Sequence, residues 1–568
     1  MKKLLIILSM VLMPIFAFAT VTETNGNDAV NQTIQSMAPA EKDTIIVQAD
    51  DTLEITGSWQ AGTTDTTCSF IYVRQDGVLR WTGNSRANIA HLWLGNKGDG
   101  DPWDIDYGGT LELGASDTLA LWKLADRPSS DYSISGDGDG GAGADAQVTI
   151  DGGSWSTMAV IMGMEGQEAR PSPVIWWNDN QFHFNASYCK FRRLGDTTGY
   201  PGLSYWTVAS DVVIENCIFD SAFYWSPGGD GDTLLNCSLF MYEDANWPVV
   251  SIKGDFETRY SIKDCDFIGN QENVEDAGER ALLGVQRLDS LTIDGCTFVG
   301  INGNFTNDYV FGLGIDADDI DTLTIRSCVF DTFTFCISLV NITEGMIEDN
   351  LIGFGRHEGL IYDPNDGDNT VIQNNQFYGT NSALGHLLFY FDSDGSDDGE
   401  NPNISVLYNT FASEDGEISL MQWGSPSPPD ASGFTISGWD IIGNAFAGAG
   451  SDITLDDSTH IVCDEFKHNA YDSIGYDPNS DLIISGSAYS IPDSNLNDQS
   501  SYGFLDSIVH DYRLADGSPM IDAADSVYWV QVYIPADSST APGNIGYYQV
   551  VAGIIKHVMK THLRNVHF

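Results

Sequence analysis

Ile293-Asp294-Gly295-Cys296-Thr297-Phe298 is answered, 32 residues further on, by Ile325-Arg326-Ser327-Cys328-Val329-Phe330. The shared phrase is an aliphatic residue, two variable residues, Cys or Asn, one variable residue and a bulky apolar residue. Working outward from this pair, the phrase occurs ten times, centred on Cys189, Cys217, Cys237, Cys265, Cys296, Cys328, Asn350, Asn375, Asn409 and Asn444, with a weaker copy at Asn469. Successive centres lie 20 to 35 residues apart, so the phrase is constant while the segments between copies vary in length. Self-similarity of this kind specifies a solenoid.

Before each Cys or Asn the sequence alternates with a period of two, as in Leu291 and Ile293 or Leu323 and Ile325, which reads as a short strand with one face inward. Gly, Asp, Asn, Ser and Thr dominate between the phrases, and no stretch carries a long 3.6-residue period. The repeating unit is therefore strand and turn. Stacked in register at roughly 4.8 Å per coil, the Phe positions become an interior aromatic column. Buried Asn can hydrogen-bond from coil to coil, and Cys fills the same slot as a small, mostly apolar side chain. The crossover preference makes such a wound parallel sheet right-handed.

These ladder phrases resemble those of the right-handed parallel β-helix proteins of the pectin-lyase-like fold, in whose turns Asn ladders are typical. The resemblance covers residues 43–549. Near its end, Tyr512 to Ala524 and Pro542 to Tyr548 look like the closing signature of many exported bacterial β-helix proteins, with Asn544 where Asp is more usual. It implies an all-β, single elongated domain, and Thr44–Val47 with Leu53–Ile55 are expected to form an N-terminal cap. It also implies an extracellular polysaccharide as partner, bound along one sheet and open to cleavage by a lyase or a glycoside hydrolase. The alternative is a non-catalytic adhesin or structural β-helix using the same rigid frame.

The chain opens with Lys2 and Lys3, an apolar run from Leu4 to Phe18 and a small-residue site at Ala17-Phe18-Ala19, which reads as a secretory signal peptide, 1–19, cleaved after Ala19. The expected location is secreted or cell-surface. Residues 20–42 read as a flexible lead-in and 550–568 as a basic tail or cap. No later run is long enough to span a membrane. With 81 acidic against 25 basic residues, the net charge of −56 disfavours nucleic acid and anionic membranes. Six of the nine Cys sit on the repeated position, which points to core packing rather than a disulfide framework.

Three kinds of chemistry have candidates. Lyase chemistry needs a base beside a neutralising cation. Bases are scarce here, so Lys190 with Arg192 and Arg193, and Arg356-His357-Glu358, stand out. Glycoside hydrolysis needs two carboxyl groups, one acid and one base or nucleophile, and Asp316 and Asp318 lead a dense acidic run with Asp319 and Asp321. Calcium takes six to eight oxygens from flexible turns, and Asp392, Asp394, Asp398 and Glu400 partly match such a loop. The Gly-His-Gly and Arg-Ile-Lys motifs of polygalacturonase-like members are absent, as is the Trp-Ile-Asp-His type of motif of pectate lyases. Trp176-Trp177, Tyr205-Trp206, Tyr224-Trp225, Tyr242 and Trp247 are expected in loops, where aromatic faces can stack on sugars.

Overall fold

The computed structural model describes residues 21–24, 31–33, 44–60, 70–89, 91–94, 109–121, 134–136, 146–163, 175–177, 182–194, 203–205, 212–222, 224–226, 231–240, 249–254, 258–269, 281–300, 313–333, 335–354, 358–363, 368–379, 385–390, 403–413, 419–424, 434–447, 453–455, 459–467 and short strands from 470 to 514. The chain divides into two compact units, residues 1–190 and 191–568. Among the described residues all regular structure is β, and no helix is long and apolar enough to cross a membrane. The chain is a right-handed parallel β-helix, and each turn of it contributes strands to three parallel sheets.

In the N-terminal unit the first sheet runs from Val21–Glu23 through Thr44–Val47, Phe70–Val73, His91–Leu94 and Ile134–Gly136 to Ile175–Trp177. The second sheet stacks Asn31–Thr33, Thr52–Gln60, Val78–Ile89, Thr110–Leu113, Ala146–Asp151 and Phe182–Ser187. The two segments expected as a cap are therefore rungs paired on both sides. Short rungs at 21–23 and 31–33 also occur within the expected lead-in. Alternation is clean in Ala146–Asp151, where every second residue is buried. Tight turns join the sheets. Asp50 and Asp76 adopt φ of 62° and 57°, and the Gly77 N–H closes on the Arg74 carbonyl at 2.9 Å.

In the C-terminal unit the first and second sheets merge in three long strands, Ala281–Asp294, Leu313–Arg326 and Phe335–Glu348, paired in register. Each turns its corner at one left-handed residue: Arg287 at 60°, Asp319 at 56°, Asn341 at 54°. The second corner is the repeated phrase itself. The residue before each Cys or Asn is left-handed in every coil described, from Asn216 at 54° to Gly443 at 69°. Asn, Asp and Gly occupy most of these positions because they reach this region at least cost. Gly443 is doubly required, since a Cβ there would lie 2.5 Å from the Tyr408 ring.

Inside that corner the ladder forms. Asn375 is fully buried; its Nδ2 donates to the Ile347 carbonyl at 2.8 Å and to Asn409 Oδ1 at 3.1 Å, while its Oδ1 accepts from the Asn350 backbone N–H at 3.0 Å. Asn409 repeats the pattern with Asn444 and the Ile372 carbonyl. Cys fills the slot in the preceding coils: the Cys265 thiol donates to the Leu234 carbonyl at 3.5 Å and accepts from the Cys237 N–H at 3.4 Å. The handover is direct, since the Cys328 N–H donates to Asn350 Oδ1 at 2.9 Å. The seven Cys whose side chains are described are buried thiols that form no disulfide, and burial pushes the Cys189 and Cys336 thiols up.

The aromatic column follows two residues later. Phe267, Phe298 and Phe330 stack at 4.6 and 4.8 Å between centroids, with their planes nearly parallel, and Phe377 stacks on Phe411 at 4.9 Å. Each ring is fully buried and contributes on the order of 2–3 kcal/mol by transfer from water. Leu239 and Ile352 replace Phe in single coils without breaking burial.

Candidate functional site

The three sheets of the C-terminal unit differ in how open they are. On the third, the residue between the Cys or Asn and the bulky apolar position is covered in several coils, with Thr297 6% exposed, Gln376 1% and Thr410 0%, while Ile218 and Leu351 are half-buried there and the next outward position stays open, as at Val299 and Asp331. On the first sheet the outward positions Ser251, Gly284, Asp316 and Ser338 are half-buried, in one register column. A second outward column, two residues on, carries Lys253, Gln286, Asp318 and Val340, and continues to Asp363. The second sheet is open as well, and several of its charges pair from coil to coil. Arg326 meets Asp294 at 2.7 Å, Arg259 meets Asp289 at 2.9 Å, and Gln373 Nε2 donates to Glu348 at 2.9 Å.

The first-sheet face therefore holds the best-placed pair of carboxyl groups. Asp316 and Asp318 lie on the same face of Leu313–Arg326, between the buried residues Ile315, Ala317 and Ile320. Two residues of strand separate their Cα atoms by about 6.6 Å. Asp318 stands beside the corner residue Asp319, which accepts from Asn341 Nδ2 at 2.9 Å and faces Arg287 at 3.9 Å. Partial burial, then the charge of Asp319, push the Asp318 carboxyl up, while Arg287 opposes them. A carboxyl held towards its protonated form beside a second carboxyl is the arrangement that acid–base work on a glycosidic bond requires.

The other expected residues are distributed differently. Lys190 and Arg192 are half-buried positions of Cys189–Leu194. Arg192 meets Asp220 of the next coil at 3.5 Å, which assigns it a lateral ion pair rather than a free cationic patch. Arg193 is exposed and left-handed, with φ of 53°. Glu358 opens the strand Glu358–Asp363, three residues before Ile361, which shares the Asp316 column. Arg356, His357, Asp392, Asp394, Asp398 and Glu400 lie outside the described residues. Among the described residues no group of three or more His, Cys, Asp or Glu is arranged to hold a metal ion.

Two features escaped the sequence reading. Arg287 and Asn341, which flank the acidic pair through Asp319, carry no motif; their signal is the left-handed corner, legible only once the coils are aligned. The aromatic residues were expected in loops, but Trp176, Trp177, Tyr205, Tyr224 and Trp225 belong to strands of the first sheet. Trp206, Tyr242 and Trp247 lie outside the described residues.

No protein family's sequence profile matches the chain, and no curated protein matches it. Among solved structures it is similar to the A-module of the Azotobacter vinelandii mannuronan C-5 epimerase AlgE6, with a TM-score of 0.23 and 10% identity, over 79% of this chain and 91% of that one. Similarity at that score carries no argument about chemistry. The fold rests on the rungs themselves: three in-register parallel sheets joined by left-handed corners, with an Asn and Cys ladder inside one of them, make this chain a right-handed parallel β-helix.

Proposed function

We propose that the protein is exported and acts on an extracellular polysaccharide, which lies along the outer face of the first sheet, with Asp316 and Asp318 as the carboxyl pair of a glycoside hydrolase. The observation that carries this reading is the placement of those two side chains on an open face, in the middle of the three longest paired strands, with Asp318 pushed towards its protonated form. Asp318 would protonate the leaving oxygen, and Asp316 would serve as base or nucleophile. A lyase reading has less support, because Arg192, Arg259, Arg287 and Arg326 are each engaged with a carboxylate of a neighbouring coil.

The test incubates purified protein with a panel of polysaccharides and follows both reducing ends and the ultraviolet absorbance of unsaturated uronates. Reducing ends without absorbance, lost in Asp318→Asn and Asp316→Asn, are expected. Absorbance, or cleavage that survives both substitutions, overturns the assignment. Retention of a polysaccharide with no cleavage supports the non-catalytic reading in its place.

A further inference from the structure

We infer that the glycan taken by the first-sheet face is uncharged, a conclusion that rests on the polysaccharide reading above and names its substrate class. Arg80 pairs with Glu112, Arg192 with Asp220, Arg259 with Asp289, Arg287 with Asp319 and Arg326 with Asp294, each time across to another coil. Such exposed pairs contribute little to stability, but they spend the positive charge along the second sheet, at the corner and on the third sheet. On the two outward columns of the first sheet in the C-terminal unit, Lys253 is the single base among the described residues, against Asp316, Asp318 and Asp363. A polyuronate laid on this face would meet net negative charge locally, and −56 over the whole chain.

The uncharged positions of the same face suit a sugar. In the C-terminal unit Ser204, Trp225, Ser251 and Gly284 occupy consecutive positions of one column. In the N-terminal unit Ile46, Tyr72, Trp93, Ser135 and Trp176 occupy consecutive positions of that unit's own first-sheet column, which Glu23 precedes as its one charge. Aromatic rings offer apolar faces for pyranose rings, and hydroxyl side chains offer donors and acceptors. Successive positions of a column are spaced at about 4.8 Å, close to the length of one pyranose residue. A chain lying along the helix axis therefore meets a new side chain of the column with about every sugar.

Affinity electrophoresis tests this, with native gels containing a neutral polysaccharide (galactan, xylan or mixed-linkage β-glucan) or an anionic one (alginate or polygalacturonate). At least one neutral polymer is expected to retard the protein, with little dependence on salt, and neither polyanion is expected to do so. Trp225→Ala should lose most of the retardation and Trp225→Phe should keep it. Ser251→Arg, at a half-exposed position, should gain retention by polyanions at low salt. Retardation of the native chain by a polyanion, weakening as salt is raised, would overturn the uncharged assignment and leave the polysaccharide reading intact. Retardation by none of the polymers would overturn both.

Discussion

Replacing Asn375 by Leu tests the corner ladder where it is most tightly connected. In the native coil the Asn375 side chain accepts from the backbone N–H and Nδ2 of Asn350, and donates to the Ile347 carbonyl and to Asn409 Oδ1. Leu has nearly the same bulk but none of these groups. The Asn350 N–H is then buried without an acceptor, at about 1–3 kcal/mol. The lost bonds to Ile347 and from Asn350 Nδ2 add roughly 1 kcal/mol each. A loss of about 3–5 kcal/mol is expected, with the midpoint of urea unfolding moved and the slope little changed. Asn375→Cys supplies the control, because the chain itself places Cys in this slot, with a thiol that both accepts from and donates to the preceding coil. The Cys variant should lose only about 1–2 kcal/mol. Equal losses for Leu and Cys, or a Leu variant within about 1 kcal/mol of the native protein, would refute the reasoning.

Asp349 occupies the left-handed corner position, and burial followed by the charge of Glu348 raises its carboxyl to about 6. Its folded pKa lies above its unfolded one, so the native state holds a proton that the unfolded chain gives up, and stability falls as pH rises from about 4 to 6. Asp349→Asn keeps the left-handed preference and should stabilise by at most about 3 kcal/mol at pH 7, and by almost nothing at pH 4, in unfolding curves taken at both. A variant no more stable than the native protein at pH 7 would show that the carboxyl is not held up. Calcium binding by the acidic residues of 392–400 is a separate proposal: millimolar calcium should raise the melting temperature, and Asp394→Asn should abolish the rise. An unchanged melting temperature in the native protein removes it.

The frame was legible in the sequence because one face of each strand is buried and each corner is tight. Cys296, Asn375 and Phe298 repeat because stacking in register leaves little freedom in what can occupy those positions. The first sheet was less legible. Its corner residues Arg287, Asp319 and Asn341 share a backbone conformation rather than a chemistry, so they look unrelated until the coils are superposed. The same holds for Trp225 and Ser251, whose shared column follows from register and not from any spacing along the chain. Asp316 and Asp318 could be picked out as a dense carboxylate run. That they lie on an open face, with Asp318 pressed by Asp319 and opposed by Arg287, required the folded coils. Arg192 is conspicuous in the sequence through scarcity, and its place 3.5 Å from Asp220 of the next coil emerges only in the folded coils.

The most direct test of the central claim compares native protein, Asp316→Asn and Asp318→Asn on whichever polysaccharide retards the native chain, by counting reducing ends released over time. Cleavage by the native protein and a loss of at least a hundredfold in each variant are expected, on the scale of general acid–base contributions. Native-like cleavage by both variants would contradict the claim.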